Sequence, residues 1–62
     1  MNILEIDNQN NLAHWLVNDN VQNEFFNCKL VETATTYKIV SLDDTITYLI
    51  TPLNNTVIKY LA

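Results

Sequence analysis

The sequence predicts an α+β fold, in which two short N-terminal helices pack on one face of a three- to four-stranded antiparallel β-meander. Apolar residues in the first half recur with helical spacing, and β-branched and aromatic residues dominate from Cys28 onward. In the second half, residues 42–46 (Leu-Asp-Asp-Thr-Ile) recur as residues 53–57 (Leu-Asn-Asn-Thr-Val). The chain has 62 residues, of which 48% are hydrophobic, so we expect one small domain over residues 1–62.

Two helices are predicted in the first half of the chain. Asp7 is a suitable helix cap, and apolar residues follow it with helical spacing over residues 8–17. Asp19, with Gln22 three residues later, resembles the capping box of a second helix. The apolar residues of that second helix are Val21, Phe25 and Phe26. The apolar lead over residues 1–6 fits either an edge strand or a first helical turn.

Two hairpins are predicted in the second half. Asp43-Asp44 and Asn54-Asn55 each lie between β-rich runs, and Asn and Asp accept the positive φ of a two-residue type I′ turn. The predicted strands are residues 36–42, 45–51 and 56–62. Cys28 to Ala34 is predicted to add a fourth strand, although Thr33 to Thr36 is poor turn chemistry and also fits a bent strand.

The loop positions predict which strand residues face each other. A loop at Asp43-Asp44 places Tyr37 opposite Ile50 and Ile39 opposite Tyr48, on an apolar inner face, and leaves a Thr-rich outer face. A two-residue loop at Asn54-Asn55 would place Leu49 opposite Tyr60 and Thr51 opposite Ile58, both pairs on the outer face.

Two alternatives follow for the outer face of the predicted sheet. A strict register leaves an exposed apolar stripe, which is the usual mark of a protein interface. Its residues would be Val40, Leu49, Leu53, Ile58 and Tyr60. A bulge near Pro52 would instead shift the register by one residue and return Ile58 and Tyr60 to the core.

Charge and cysteine usage exclude several classes of protein. The net charge is −4, with three dispersed Lys and no Arg, so direct nucleic-acid binding and docking on an anionic membrane surface are not expected. The single Cys28 forms no internal disulfide, and no apolar run is long enough to span a membrane, which predicts a cytoplasmic protein.

No residue pattern predicts catalysis, a metal site or a cofactor. His14 and Cys28 are the only soft metal ligands, and two ligands fall short of a zinc site. We expect His14 at a helix border, with its ring partly exposed to water, and Cys28 as a small apolar filler at the junction of helix and sheet. Asp43 and Asp44 are expected to serve a hairpin turn, because adjacent carboxylates at a hairpin tip point into water. The chain is therefore not expected to be an enzyme.

The remaining pattern predicts a small acidic protein-binding module. It would act as an inhibitor or adaptor that docks on a larger protein through the stripe, with Asp43 and Asp44 as an acidic rim that attracts a basic surface. A mobile-element protein that blocks a host or defence nucleic-acid enzyme would have this character. The alternative is a homodimeric structural or assembly protein, in which the same surface or the last strand joins two copies.

Overall fold

The chain forms two antiparallel β-sheets that follow each other along the sequence. The computed structural model describes residues 2–32 and 35–61, and within them it contains seven strands and no helix. The strands are β1 (Asn2–Asp7), β2 (Leu12–Val17), β3 (Asn20–Phe26), β4 (Cys28–Glu32), β5 (Tyr37–Ser41), β6 (Ile46–Thr51) and β7 (Thr56–Leu61). Each strand within a sheet pairs with the next one along the chain, giving a first sheet of β1-β2-β3 and a second sheet of β4-β5-β6-β7.

The predicted helices, and with them the α+β fold, are wrong. Residues 12–17 are apolar or His at every position, so they satisfy a period of two as well as a helical one. Alternate residues Ala13 and Trp15 are buried, which is the pattern of a strand. Asn18 and Asp19 both have positive φ, 51° and 67°, and form the two-residue turn between β2 and β3. Asp19 is therefore a turn residue and not a helix cap.

Asn and Asp take the role that glycine has in other hairpin proteins. The chain has no Gly, and six residues outside the strands have positive φ among those described. They are Asn11, Asn18, Asp19, Asn27, Asp44 and Asn55. Asn and Asp tolerate this left-handed conformation better than other residues with a side chain. Asn27, the single residue between β3 and β4, is where the chain passes from one sheet to the other.

The register of the second sheet was predicted in part. Tyr37 lies opposite Ile50 and Ile39 opposite Tyr48, as predicted. The loops are longer than predicted, because residues 42–45 and 52–55 lie outside the strands. Leu49 therefore pairs with Ile58, and the predicted pairs Leu49–Tyr60 and Thr51–Ile58 are wrong.

The predicted faces of the sheet are correct although the pairing of the last hairpin is not. The pairing differs from the prediction by two residues, so every side chain of β7 stays on its predicted side. The β6–β7 pairing is continuous from Ile46 to Thr51, which contradicts a bulge near Pro52. The irregularity lies in β3 instead, where Gln22 has no partner between the pairs Trp15–Asn23 and Leu16–Val21.

Two predicted strand ends lie beyond the part of the chain that the structure describes. The fourth strand was expected to reach Ala34, and β4 is described to Glu32, so residues 33–34 fall outside. The last strand was expected to end at Ala62, and β7 is described to Leu61. No helix long and apolar enough to cross a membrane occurs within residues 2–32 and 35–61.

The two sheets pack face to face around a small aromatic and aliphatic core. The buried core residues are Ala13, Trp15 and Phe25 from the first sheet and Cys28, Ile39 and Ile50 from the second. Ring contacts cross between the sheets, from Trp15 to Tyr37 with centroids 6.5 Å apart and from Phe25 to Tyr48 at 4.7 Å. The indole Nε1 of Trp15 donates a hydrogen bond of 2.8 Å to Oδ1 of Asn55.

Candidate protein-interaction surface

The side of the second sheet that faces away from the core carries two cross-strand rows of side chains. Because side chains alternate along a strand, the neighbours of the buried Ile39 and Ile50 point outward. One row is Val31–Lys38–Leu49–Ile58, and the next is Lys29–Val40–Thr47–Tyr60. We call these eight residues the second-sheet face.

Five of the eight residues of the second-sheet face are apolar or aromatic. Val31 and Ile58 are each 44% exposed and Tyr60 is 49% exposed, while Leu49 is partly buried between its strand neighbours. Val40 is 9% exposed and forms the floor of the surface. The strict register therefore leaves an apolar surface, in which four of the predicted stripe residues lie together.

Leu53, the fifth predicted stripe residue, lies outside the second-sheet face. It belongs to the loop of residues 52–55 and is 97% exposed, so its side chain packs against almost nothing. This loop follows the C-terminal end of β6, whereas Asp43 and Asp44 precede the N-terminal end of the same strand. The three loop residues are thus divided between the two ends of the sheet.

The carboxylate of Asp43 holds its own loop together. Its Oδ1 accepts hydrogen bonds from the hydroxyls of Thr45 (2.7 Å) and Ser41 (2.8 Å) and from the backbone N–H of Thr45 (3.2 Å). These hydrogen bonds, with those from Thr45 first, lower the pKa of the Asp43 carboxyl below its ordinary value. One of these hydrogen bonds has a counterpart in the repeated segment, where the Thr56 hydroxyl donates to Oδ1 of Asn54 at 2.6 Å.

Asp44 forms an ion pair with the second-sheet face. Its Oδ1 lies 3.4 Å from Nζ of Lys29, and both side chains are more than half exposed. An exposed pair of this kind contributes little to stability, about 0.2–1 kcal/mol. It nevertheless offsets one positive charge of the face, which leaves Lys38 as the cation of this face that has no carboxylate partner among the described residues.

Sequence reasoning missed Val31, which lies in the same row as Leu49. Its position depends on the pairing of β4 with β5, in which Val31 lies opposite Lys38. Thr33 to Thr36 contain none of the turn residues that fix a hairpin register, so these two strands could not be aligned from their residues alone. Alternation from the inward residue Leu30 is the one signal that would have placed Val31 outward.

The outer side of the first sheet is a second surface. It was not predicted, because the residues of β2 and β3 were assigned to helices. Its central row is Glu5–His14–Glu24, flanked by the rows Ile3–Leu16–Val21 and Asp7–Leu12–Phe26. We call these nine residues the first-sheet face. The imidazole Nε2 of His14 lies 3.6 Å from Oε2 of Glu24. One end row of the face is apolar, the central row has a carboxylate on each side of His14, and the other end row combines Asp7 with two apolar residues.

The two residues considered for chemistry are separated by the first sheet. His14 is on the first-sheet face, and Cys28 is buried in the core, where Sγ lies 3.6 Å from the carbonyl oxygen of Phe25. Burial raises the pKa of the Cys28 thiol, which makes the nucleophilic thiolate scarce at neutral pH. No group of three metal-ligating side chains occurs within the described ranges.

An open cleft of about 420 Å³ lies where the two sheets meet. Phe26 and Asn27 form one side, and Leu42 and Ile46 form the apolar part of the other. The backbone N–H of Leu42 donates to the carbonyl oxygen of Asn27 at 2.9 Å, which fixes the loop of residues 42–45 beside the sheet junction. The cleft has no convergent charged groups apart from Asp43, which already serves its own loop.

Comparison with known proteins adds no assignment to these surfaces. The chain matches no protein-family model, no curated protein and no solved structure.

Proposed function

We propose that this chain is a protein-binding module that docks on a larger protein through the second-sheet face, as an inhibitor or adaptor. The observation that supports the proposal is the juxtaposition of Leu49, Ile58 and Tyr60 on adjacent strands, with Ile58 and Tyr60 exposed. An exposed apolar patch with an aromatic residue is typical of protein interfaces. We place the protein in the cytoplasm, where its single buried thiol stays reduced.

The second-sheet face is suited to binding because its backbone is already ordered. Its residues lie on paired strands, so little conformational entropy is lost when a partner covers them. Tyr60 combines a large apolar ring with a hydroxyl that keeps a polar contact at the edge of the interface. We expect Tyr60 and Leu49 to contribute most of the binding free energy.

The charges of the face indicate the chemistry of its partner. Lys38 lies between Val31 and Leu49, so the partner surface should be apolar with a carboxylate opposite Lys38. The basic partner predicted from the sequence depended on Asp43 and Asp44. Asp43 already accepts hydrogen bonds within its own loop and Asp44 pairs with Lys29, so neither supports a basic partner at this face.

The test compares two substitutions on the second-sheet face with a control substitution at Leu53. A partner recovered with the tagged chain is purified, and its affinity is measured by calorimetry for the original chain, Leu49→Ala, Tyr60→Ala and Leu53→Ala. Tyr60→Ala should weaken binding about 30-fold and Leu49→Ala about 10-fold, as expected for interface hot spots. Leu53→Ala should stay within about twofold, because Leu53 packs against almost nothing.

Two controls decide the outcome. Circular dichroism and thermal unfolding confirm that each variant is folded before its affinity is compared. Equal affinities for Tyr60→Ala, Leu49→Ala and Leu53→Ala in folded proteins would remove the second-sheet face as the docking surface. An effect of Leu53→Ala alone would move the interaction to the loop of residues 52–55.

A further inference from the structure

The two outer faces of the molecule carry charges of opposite sign. The first-sheet face contains three carboxylates, Glu5, Asp7 and Glu24, and its strands contribute no Lys. The second-sheet face contains Lys38 and also Lys29, whose charge is offset by Asp44 from the neighbouring loop, and the outward positions of β4–β7 contribute no carboxylate within the described residues. The net charge of −4 is thus unevenly distributed between two opposite sides of the sandwich.

Both faces are also apolar enough to pack against another sheet. On the first-sheet face, Ile3 and Val21 are exposed on either side of Leu16. These three residues form an apolar row comparable to that of Val31, Leu49 and Ile58 on the second-sheet face. Sheets pack face to face at about 10 Å through such rows. The two faces are therefore complementary: their apolar rows have similar lengths, and their charges have opposite signs.

We propose that a second copy of this chain docks its first-sheet face on the second-sheet face, an inference that rests on the proposed role of the latter surface. Charge complementarity selects this arrangement. Two second-sheet faces in contact would bring Lys38 near the Lys38 of the other copy, and two first-sheet faces would oppose six carboxylates. Packing unlike faces instead brings Lys38 toward Glu5 and Glu24.

The position of the faces determines the kind of assembly. They lie on opposite sides of the sandwich, so a copy that uses one face leaves the other open for a third copy. Such head-to-tail contacts do not close after two subunits and produce an open stack. The molecule measures 31 × 22 × 19 Å, so each contact is small and the association is weak.

The test uses purified chains alone and follows mass against concentration. The weight-average mass is measured by light scattering and sedimentation equilibrium from about 10 µM to about 1 mM, a range that covers weak protein contacts. The mass should rise continuously past that of two 7.2 kDa chains. Lys38→Glu should lower the association constant at least about 10-fold, because the second-sheet face then repels the first.

A charge-swap pair makes the test specific for the two faces. The double variant Glu5→Lys/Glu24→Lys, studied by itself, should also fail to associate, because both of its faces are then basic. Mixing this variant with Lys38→Glu in equal amounts should restore association, since each basic face meets an acidic one. Lys59→Glu is the matched control: Lys59 lies opposite Tyr48, on neither outer face, and its substitution should leave the mass profile unchanged.

The outcomes separate this inference from the proposed function. A mass that stays at one chain, a mass that stops at two chains, or a mixture that fails to restore association would overturn the stack. The docking proposal would stand in those cases if Tyr60→Ala still weakens binding to the larger protein. Conversely, a stack whose Tyr60→Ala variant keeps full affinity for that protein would support self-association and remove the docking proposal.

Discussion

The two sheets contribute different kinds of side chain to one core. The first sheet supplies Trp15 and Phe25, and the second supplies the smaller Ile39 and Ile50. The aromatic rings of the first sheet reach across to Tyr37 and Tyr48 of the second, and the two Ile side chains belong to the same buried cluster. The largest buried side chains of the core therefore come from the three-stranded sheet.

Of the two aromatic residues that contact the opposite sheet, Trp15 also joins the sheets by a hydrogen bond. It is fully buried, contacts Tyr37, and donates its indole hydrogen bond to Asn55 in the loop between β6 and β7. The isoleucines have no comparable polar link. We therefore expect the free energy of unfolding to be far more sensitive to changes at Trp15 than to trimming of Ile39 or Ile50.

Trp15→Ala should have the largest effect. Truncating a buried aromatic side chain costs about 3–5 kcal/mol, and a chain of this size has a total stability of only about 3–9 kcal/mol. We expect a largely unfolded protein at 37 °C, seen as loss of the near-ultraviolet circular dichroism signal and of the cooperative urea transition. A cooperative transition with an unchanged midpoint would contradict the role of Trp15 between the sheets.

Substitutions of Asn55 test the polar link between the sheets. Asn55→Ala should cost about 2 kcal/mol, because it removes the acceptor of a buried indole and places Ala at a φ of 56°. Asn55→Gly keeps the conformation and should cost about 1 kcal/mol, the hydrogen bond alone. Both costs are to be measured by urea unfolding.

A double-mutant cycle checks the Asn55 assignment. In a Trp15→Phe background there is no indole N–H to accept from, so Asn55→Gly should become nearly neutral. The same cost in both backgrounds would show that Asn55 stabilises the loop without the help of Trp15.

Trimming the second sheet should have smaller, matched effects. Ile39→Val and Ile50→Val each remove one buried methylene from a fully buried side chain, and each should cost about 1 kcal/mol in urea unfolding. Ile58→Val, on the exposed second-sheet face, is the control and should stay within about 0.5 kcal/mol. A larger loss at Ile58 than at Ile50 would mean that the face assignment of β6 and β7 is reversed.

The smallest expected effects concern pH, where the two sheets behave alike. Hydrogen bonds from Asn10 lower the pKa of Asp7 at the end of β1, and those from Thr45 and Ser41 lower the pKa of Asp43 in the loop before β6. A carboxyl whose pKa is lower in the folded chain stabilises it above the unfolded pKa near 4, and this contribution is lost as the pH falls through the folded pKa.

The pH prediction is tested by acid titration of the folded chain. Asp7→Asn and Asp43→Asn should each flatten the decline of thermal stability below about pH 4. Asp19→Asn is the comparison, because Asp19 has no side-chain hydrogen bond of this kind in the described structure. A steeper decline in either variant would show that the carboxylates do not hold their loops.

The turns of the chain explain which elements could be predicted. Asx pairs marked the loops of residues 42–45 and 52–55, and they gave the β5–β6 register correctly. The same signal at Asn18-Asp19 was interpreted as a helix cap, because the apolar run of residues 12–17 fits a helical period. Residues with no polar alternation, such as Leu12 to Val17, carry no periodicity that distinguishes a strand from a helix.

The strict register predicted the side of the sheet for the residues that β5, β6 and β7 contribute to the candidate surface, although it did not predict every pair. Leu49, Ile58 and Tyr60 were assigned to the outer face although the last loop was two residues longer than expected, since a shift by an even number of residues preserves the side. The roles of Asp43 and Asp44 depend on side-chain hydrogen bonds and an ion pair within a loop, which sequence position alone does not specify.

The division at Asn27 gives the chain an order of events during its synthesis. All strand pairs of the first sheet are formed within residues 2–26, so its ladder can be complete before β4 leaves the ribosome. Trp15 and Phe25 then stay uncovered until Ile39 and Ile50 arrive, because a three-stranded sheet alone cannot bury them. Nearest-neighbour pairing shortens that interval, since each following hairpin closes over a short loop and folds quickly.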